Sequence, residues 1–523
     1  MTLRHPFPYS LLLFSFLILL QCTTRQPEVQ GAPDGVLVLS PQPEKMHQTI
    51  HNFGASDAWS CQFVGKNWPL AKREAIADLL FSTALKPDGS PAGIGLTAWR
   101  FNIGGGSAAQ GEASDIRDEW RRADGFLQPD GTMDLTAQPG QRWFLRAARE
   151  RGVKTFTGFV NSPPVSLTKN GKAYSTGGNS ANLSPENYPA YVQFLTDVIA
   201  GLHSTENIQL DYISPFNEPQ WDWNEPNQEG SPWKNEEIAT VSRMLNQQLV
   251  AKALNTRIEI PETAQIDYLY RTHNRPDRGD QIEVFFREGS ENYLGDLQQL
   301  APKVAGHSYF STWDLNKLID QRQTLAAKLR EFPELEYWMS EYTLLENNPE
   351  VKGGGRDLGI EPALYMARVI HADLTVAGAA AWQWWLAVSP YNYKDGLVYI
   401  DHDKNDGAVY PSKMLWALGN YARFIRPGMV RIGLDRSDQL SVDATLDRAM
   451  VSAYLDPETG KTVVVAINYS QEEIPVQLAT RHRSAKYKCY RTSAVKDLQL
   501  LGEFKSGDTQ RLPPRSITTL VEL

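Results

Sequence analysis

The chain has 523 residues, 41% of them apolar and 22% charged; this ordinary globular usage excludes collagen-like, coiled-coil and wholly disordered architectures and leaves room for a large barrel with a small companion. Its 52 Lys and Arg against 61 Asp and Glu give a formal charge of −9, which argues against a nucleic-acid partner because phosphate binding draws on clustered cations, and the one short basic run is Arg481-His482-Arg483. Three cysteines are too few for a disulfide framework or a four-thiolate zinc site.

Arg4 and His5 precede an apolar run over residues 11–20. It is too short to cross a hydrocarbon layer of roughly 30 Å as a helix but has the length of a signal-peptide core, so residues 1–21 are read as an export signal. The run closes with Leu19-Leu20-Gln21-Cys22, which resembles the lipobox of bacterial lipoproteins. That resemblance implies that Cys22 is acylated, becomes the mature N-terminus and anchors the protein to the bacterial outer membrane, at the periplasmic face or the cell surface. Gln21 departs from the small residue usual there. Residues 22–35, rich in Thr, Gln, Pro and Gly, read as a tether. Cys61 and Cys489 are then the remaining thiols, expected to be free and buried.

From residue 50 to about 425, short β-branched or aromatic runs alternate with longer amphipathic stretches, the signature of βα units. The strand candidates are 50–57, 97–103, 154–161, 211–217, 257–262, 303–309, 336–341 and 378–385. One helix is expected to start at Ser184-Pro185-Glu186, with Ser as N-cap and Tyr191, Phe194, Leu195, Val198 and Ile199 on its apolar face. Another runs from about Glu361, with Leu364, Ala367, Ile370 and Leu374 on one face. Eight alternations predict an α/β fold, a (β/α)8 TIM barrel over 50–425 whose active site lies at the C-terminal strand ends; an open doubly wound sheet is the alternative. After residue 426 the period changes to two, with strands expected at 449–454, 462–468, 475–478, 487–491 and 516–523, a small β-sandwich over 426–523. The segment 36–49 has no partner in the barrel's strand order and is expected to complete that sandwich.

The strongest chemical signal is Asp211-Tyr212-Ile213-Ser214-Pro215-Phe216-Asn217-Glu218-Pro219-Gln220-Trp221, an apolar strand ending in an amide and a carboxylate. A second carboxylate, Glu341, ends a later strand in Tyr337-Trp338-Met339-Ser340-Glu341-Tyr342. On the fourth and seventh strands of a barrel, both would project into the mouth. Two carboxyl groups about 5–5.5 Å apart suit retaining glycoside hydrolysis, and about 6.5–9.5 Å suits inversion. A single strand-end glutamate could equally cap a neighbouring helix; two in an aromatic-rich frame favour catalysis.

Asn217-Glu218-Pro219 with Glu341 resembles the acid/base and nucleophile pair of the retaining β-glycosidases built on this barrel. Phe53-Gly54-Ala55-Ser56-Asp57-Ala58-Trp59, Trp99-Arg100-Phe101-Asn102-Ile103-Gly104, Asn161-Ser162-Pro163-Pro164 and the C-terminal run Leu512-Pro513-Pro514-Arg515-Ser516-Ile517-Thr518-Thr519-Leu520 are similar to glycoside hydrolase family 30, most like its endo-β-1,6-galactanases. The resemblance implies that Glu218 is the general acid/base and Glu341 the nucleophile, that Arg100 holds the nucleophile, that Asn217 binds the hydroxyl beside the anomeric carbon, and that Tyr309 stands beside Glu341. His307 is expected to line the pocket, Trp382 and Trp385 to form its aromatic floor, and Asp57, Trp59 and Trp221 to contribute from the first and fourth loops. Pro164 replaces the tryptophan of some relatives. The implied substrate is a polysaccharide or oligosaccharide, with no metal or other cofactor and with membrane contact only through the N-terminal lipid. The same frame would serve a β-1,6-glucanase, a glucuronoxylanase or an exo-β-glycosidase; a carbohydrate-binding surface lipoprotein is the reading from another class. The Asp401-His402-Asp403-Lys404-Asn405-Asp406-Gly407 run lacks the glycine and glutamate positions of a calcium loop and reads as a solvated turn.

Overall fold

The structure, a computed structural model, describes residues 35–480 and 484–523. The expected export signal, Cys22, nearly all of the tether and the Arg481-His482-Arg483 run lie outside the described residues. The chain begins with β1 (Leu37–Thr49) and then forms the parallel strands β2 (Asn52–Ser56), β3 (Ala98–Asn102), β4 (Thr155–Phe159), β5 (Tyr212–Ser214), β6 (Arg257–Ile258), β7 (Lys303–Gly306), β8 (Glu336–Met339) and β9 (Ala381–Ser389). These eight fall within the eight sequence candidates, except that β9 runs on to Ser389. β2 to β6 pair in order, β7 pairs with β8, and β9 pairs with both β8 and β2. Parallel bridges from Ile258 to Leu300 and from Thr263 to Gly306 span the interval between β6 and β7. The ring is closed, which excludes the open doubly wound alternative.

Side chains alternate across each strand, so register decides which residues reach the barrel interior. In β3, Trp99 faces outward and packs against Phe81 and Phe144 of the helical layer, which turns Arg100 inward. In β9 the pairing with β2 is interrupted: Ala55 pairs with Trp384 and Ser56 with Leu386, leaving Trp385 as an extra residue. Trp382 and Trp384 stack on one face, centroids 6.1 Å apart, and alternation puts Trp385 on the other.

The helix at Ser184 opens as a single 3-10 turn, Pro185–Asn187, and the α-helix is Tyr188–Glu206. Ser184 makes no side-chain cap bond. A second proline, Pro189, is tolerated only in a helix's first turn, so the α-helical ladder starts beside it and not at Pro185. The expected apolar face, Tyr191 to Ile199, is buried. The helix Ile360–Ala372 is buried all round except at Glu361, because strands of the C-terminal sheet cover the side away from the barrel.

β10 (Gly396–Ile400) and β11 (Val409–Pro411) extend the barrel sheet beyond β9. The remaining strands are β12 (Val430–Arg436), β13 (Ala449–Leu455), β14 (Thr462–Asn468), β15 (Ile474–Leu478), β16 (Lys486–Ser493), β17 (Lys496–Lys505), β18 (Thr509–Leu512) and β19 (Ser516–Glu522). With β1 they form one path, β17-β16-β19-β14-β13-β12-β1-β15-β18. This path folds over a core in which Leu39 of β1 and Leu512 of β18 meet Tyr487 and Phe504 of β16 and β17, the antiparallel β-sandwich. β1 lies between β12, antiparallel, and β15, parallel, as its missing barrel partner suggests. The strands β12, β17 and β18 escape the sequence reading because polar residues and glycine break their alternation; β17 buries only Leu498 and Phe504. Cys61 and Cys489 are free and buried.

Leu39 is fully buried in the core of this sandwich, whereas Met46 of the same strand is 61% exposed. Leu39→Ala is therefore expected to lower the unfolding free energy by about 2–5 kcal/mol, and Met46→Ala by less than about 0.5 kcal/mol, read from urea denaturation midpoints. Equal, small losses would contradict the sheet order.

Candidate active site

Arg100 projects from β3 into the barrel and is 1% exposed. A buried guanidinium is tolerable only when its donors meet acceptors, and three strand ends supply them. One amino group donates to Glu341; the other donates to Asn217 Oδ1 at 2.9 Å and to Glu262 Oε1 at 2.8 Å. Its flat face lies 3.7 Å from the Phe159 ring centroid, and Trp385 stands at 5.8 Å. Asn217 is held from its other side, its amide donating to Asn161 Oδ1 at 2.9 Å.

Beyond the ends of β5 and β6, Glu218 and Glu262 both adopt left-handed backbone, φ 49° and 54°, strained for residues with a side chain and characteristic of positions under functional constraint. The Glu218 N–H donates to the Glu262 carbonyl at 3.1 Å. Glu218 Oε1 lies 2.8 Å from His307 Nδ1, and the same nitrogen is 3.7 Å from Glu341 Oε1, while His307 Nε2 is 3.6 Å from Glu262 Oε1. The Tyr309 hydroxyl donates to Glu341 Oε1 at 3.0 Å. An oxygen of Glu218, an oxygen of Glu341 and a His307 nitrogen all lie within 4.8 Å of one another.

Burial pushes the Glu218 carboxyl above the usual carboxylate range; the neighbouring charge of Glu341 adds to this and His307 opposes it. Burial works against a charged His307, yet the carboxylates of Glu341, Glu218 and Glu262 outweigh it and raise the imidazole to about 10. Burial would likewise raise Glu262, but Arg100 and His307 overcome it and hold that carboxyl near 2. The expectation for His307 as pocket lining is thus incomplete: it stands buried between carboxylates that favour its protonated form. The spacing of Glu218, His307 and Glu341 would admit a divalent ion, but Glu341 already has Arg100 as its positive partner.

The other residues singled out by sequence divide. Trp385 meets Trp59 edge-on, centroids 5.3 Å apart, and Phe159 at 5.9 Å, forming an aromatic wall beside Arg100. Trp221 lines a cavity of about 660 Å³ with Trp223, Asn224, Arg121, Arg275 and Tyr393; Glu218 and Glu341 are not on that lining. The cavity is tied to Glu218 all the same, since the Trp223 indole donates to the Glu218 carbonyl at 3.1 Å. Two expectations are corrected. Trp382 is fully buried with its indole donating to Asp373 Oδ2 at 2.9 Å, because alternation along β9 puts it on the outward face. Asp57 is also fully buried, its Oδ1 accepting from the Asn102 N–H at 2.8 Å and the Gln141 amide at 3.0 Å, so it fastens the first loop instead of reaching a ligand.

Glu262 was not singled out by sequence, although it ends the fifth strand candidate as Glu218 and Glu341 end theirs. The run Ile258-Glu259-Ile260-Pro261-Glu262 carries the signal, since alternating isoleucines fix the outward face and leave Glu259 facing inward. Glu259 pairs with Lys303 deeper in the barrel, both 2% exposed.

Residues 37–399 match the model of O-glycosyl hydrolase family 30. The chain is 25% identical over 403 residues to the glucuronoxylanase XynC of Bacillus subtilis (strain 168), covering 72% of this chain and 75% of that one. Among solved structures it is similar to a conserved exported protein from Bacteroides fragilis, 36% identical with a TM-score of 0.88 over 92% of this chain and 100% of the other. It also shares the fold of the catalytic domain of a family 30 xylanase C from Talaromyces cellulolyticus, 22% identical with a TM-score of 0.65, covering 93% of this chain and 100% of that one. With the model matched across both glutamates and the arginine that joins their strands, the chain belongs to glycoside hydrolase family 30.

Proposed function

We propose that the protein is a retaining endo-β-glycosidase that cleaves β-1,6-linked galactan, such as arabinogalactan side chains, by double displacement. The observation that carries this reading is the approach of Glu218 and Glu341, with oxygens within 4.8 Å across one cavity, on the short side of the spacing that separates retention from inversion. Glu341, bound by Arg100 and Tyr309, is the nucleophile; its partners fix its direction. Glu218 is the acid. It donates a proton to the glycosidic oxygen as Glu341 bonds to the anomeric carbon, then accepts a proton from the water that releases the glycosyl group. Asn217, fixed between Arg100 and Asn161, is placed to bind the hydroxyl next to the anomeric carbon, and Trp385 with Trp59 offers apolar faces to the C–H side of a sugar ring.

The galactan assignment rests on the resemblance of Asn217-Glu218-Pro219-Gln220-Trp221 and of the first-strand run 53–59 to the endo-β-1,6-galactanases. A β-1,6-glucanase, a glucuronoxylanase or an exo-acting enzyme would employ the same carboxylates. A surface protein that only captures carbohydrate has no use for an acid group and a fixed nucleophile so close together. The chain is read as a barrel over 50–425, a sandwich over 426–523 joined by 36–49, and a lipoprotein leader over 1–21 with a tether over 22–35; the exported relative supports that leader. Mass spectrometry of membrane-extracted protein is expected to find lipid on an N-terminal Cys22, and an unmodified N-terminus elsewhere would contradict it.

Glu218→Gln and Glu341→Gln should each lower turnover of β-1,6-galactan by at least about 100-fold, with the wild type releasing oligosaccharides of retained β configuration by NMR. β-1,6-Glucan and glucuronoxylan serve as the competing substrates. Wild-type rates in both variants would end the catalytic assignment, and monosaccharide alone as product would end the endo reading. Because Glu218 must carry a proton and its carboxyl is raised, kcat/KM should persist above the ordinary glutamate pKa of about 4.3 and fall as pH rises through the apparent value of the coupled cavity.

Trp385→Ala should weaken kcat/KM by roughly tenfold or more, a loss of about 1.4 kcal/mol or more of transition-state binding. Trp382→Phe should leave KM unchanged and cost about 1–3 kcal/mol of stability through loss of its buried indole bond to Asp373. The reverse pattern would place the wrong tryptophan at the sugar.

A further inference from the structure

The buried cluster at the barrel mouth holds three carboxyl groups and two cations. Glu218, Glu262 and Glu341 face Arg100 and His307, with the neutral Tyr309 hydroxyl on Glu341. Deeper in the barrel, Lys303 and Glu259 cancel each other. In a buried space net charge is costly, so neutrality requires one carboxyl group to be protonated. Glu341 is bound by Arg100 and Tyr309. Glu262 is bound by Arg100, receives the Ser214 hydroxyl and faces His307 Nε2 at 3.6 Å. Glu218 has only the His307 bond to Oε1, which leaves its second oxygen for a proton.

We propose that Glu262 is a positioning residue for the acid step: by binding Arg100 and facing the outer nitrogen of His307, it keeps His307 cationic and donating to Glu218 Oε1, so that the mobile proton resides on Glu218 Oε2. This inference rests on the retaining glycosidase reading. Glu262 itself touches no sugar in it. Its depressed carboxyl and the raised His307 accord with the geometry. Removing the charge of Glu262 leaves an excess of positive charge, and the cavity responds by shedding a proton from Glu218 or from His307. Loss from Glu218 removes the acid's proton at a lower pH than in the wild type, and loss from His307 leaves Nδ1 an acceptor that draws the Glu218 proton onto Oε1, away from the glycosidic oxygen.

Glu262→Gln keeps an acceptor for Arg100 and Ser214 and removes only the charge. The alkaline limb of kcat/KM on β-1,6-galactan, or on whichever of the three test glycans is cleaved, should move down by about one to three pH units, the range for a charge within 4–6 Å. At neutral pH the rate on that glycan should fall at least about tenfold. The 2,4-dinitrophenyl glycoside of the corresponding disaccharide has a leaving group that needs no protonation, and its glycosylation rate should change by less than about threefold. A residue that merely buttressed the barrel would lower both substrates alike and leave the pH profile in place, which would overturn the proposal.

Glu218→Gln in parallel separates the two readings. If it is inactive on the glycan while Glu262→Gln keeps the wild-type profile, the inference fails alone; if Glu218→Gln is fully active, the hydrolase reading fails with it. Should Glu262→Gln not fold, the 15N shifts of the His307 ring in the wild-type protein at pH 7 decide: both nitrogens protonated is expected, and an unprotonated Nδ1 overturns the proposal.

Discussion

A single guanidinium deep in the barrel organises the site. Arg100 cannot keep its charge there without acceptors, and breaking a buried pair of this kind costs on the order of 3–5 kcal/mol. The acceptors come from three other strand ends: Asn217 after β5, Glu262 after β6 and Glu341 after β8. The electrostatic need of one side chain therefore closes the distance between groups far apart in sequence. It also sets them unequally. Glu341 is bound on two sides, whereas among the described residues the Glu218 carboxyl is reached only through His307, so two residues of identical chemistry are set apart by their neighbours, as the proposed division into acid and nucleophile requires.

Hydrophobic patterning supplies the scaffold on which this happens. Outward residues such as Trp99 and Trp382 lock strands to the helical layer, and the inward residues between them need not be apolar. Arg100, Glu259, Glu262, Lys303 and His307 all occupy the interior that in most barrels is filled by branched aliphatic layers. Their partners are one another, so the barrel's lower stem pairs Lys303 with Glu259, and its mouth pairs Arg100 and His307 with the remaining carboxyl groups. Stability and chemistry draw on the same contacts, which is why the charges come as a nearly neutral set.

Much of this was legible beforehand. The eight strands stood out because each is a short apolar run followed by a turn, and the strand-end rule led directly to Glu218 and Glu341. What escaped did so for identifiable reasons. Trp382 and Trp385 differ by three positions and point oppositely on a regular strand, but which of the two faces the mouth depends on how β9 registers against β2 and β8, which composition does not state. Asp57 sits at a strand end like the catalytic glutamates, yet Asn102 and Gln141 claim it, partners separated from it by tens of residues. Glu262 ends the run Ile258-Glu259-Ile260-Pro261-Glu262, which lacks the aromatic frame that sets off Glu218 and Glu341 in the sequence. The strands β12, β17 and β18 are held by their neighbours in the sheet and not by patterns of their own.

Membership in the family fixes the frame and leaves the sugar to the loops, where the cavity beside Trp221 and Trp223 continues from the Glu218 backbone. At the centre of that frame the proposed chemistry has Glu341 attack and Glu218 assist. The most direct test is peptide mass spectrometry after incubation with an activated 2-fluoro β-1,6-galactobioside, which slows release of the covalent sugar. The account predicts a glycosyl adduct on Glu341 and on no other residue; turnover of the reagent with the adduct elsewhere, or with an inverted product and no adduct, would contradict it.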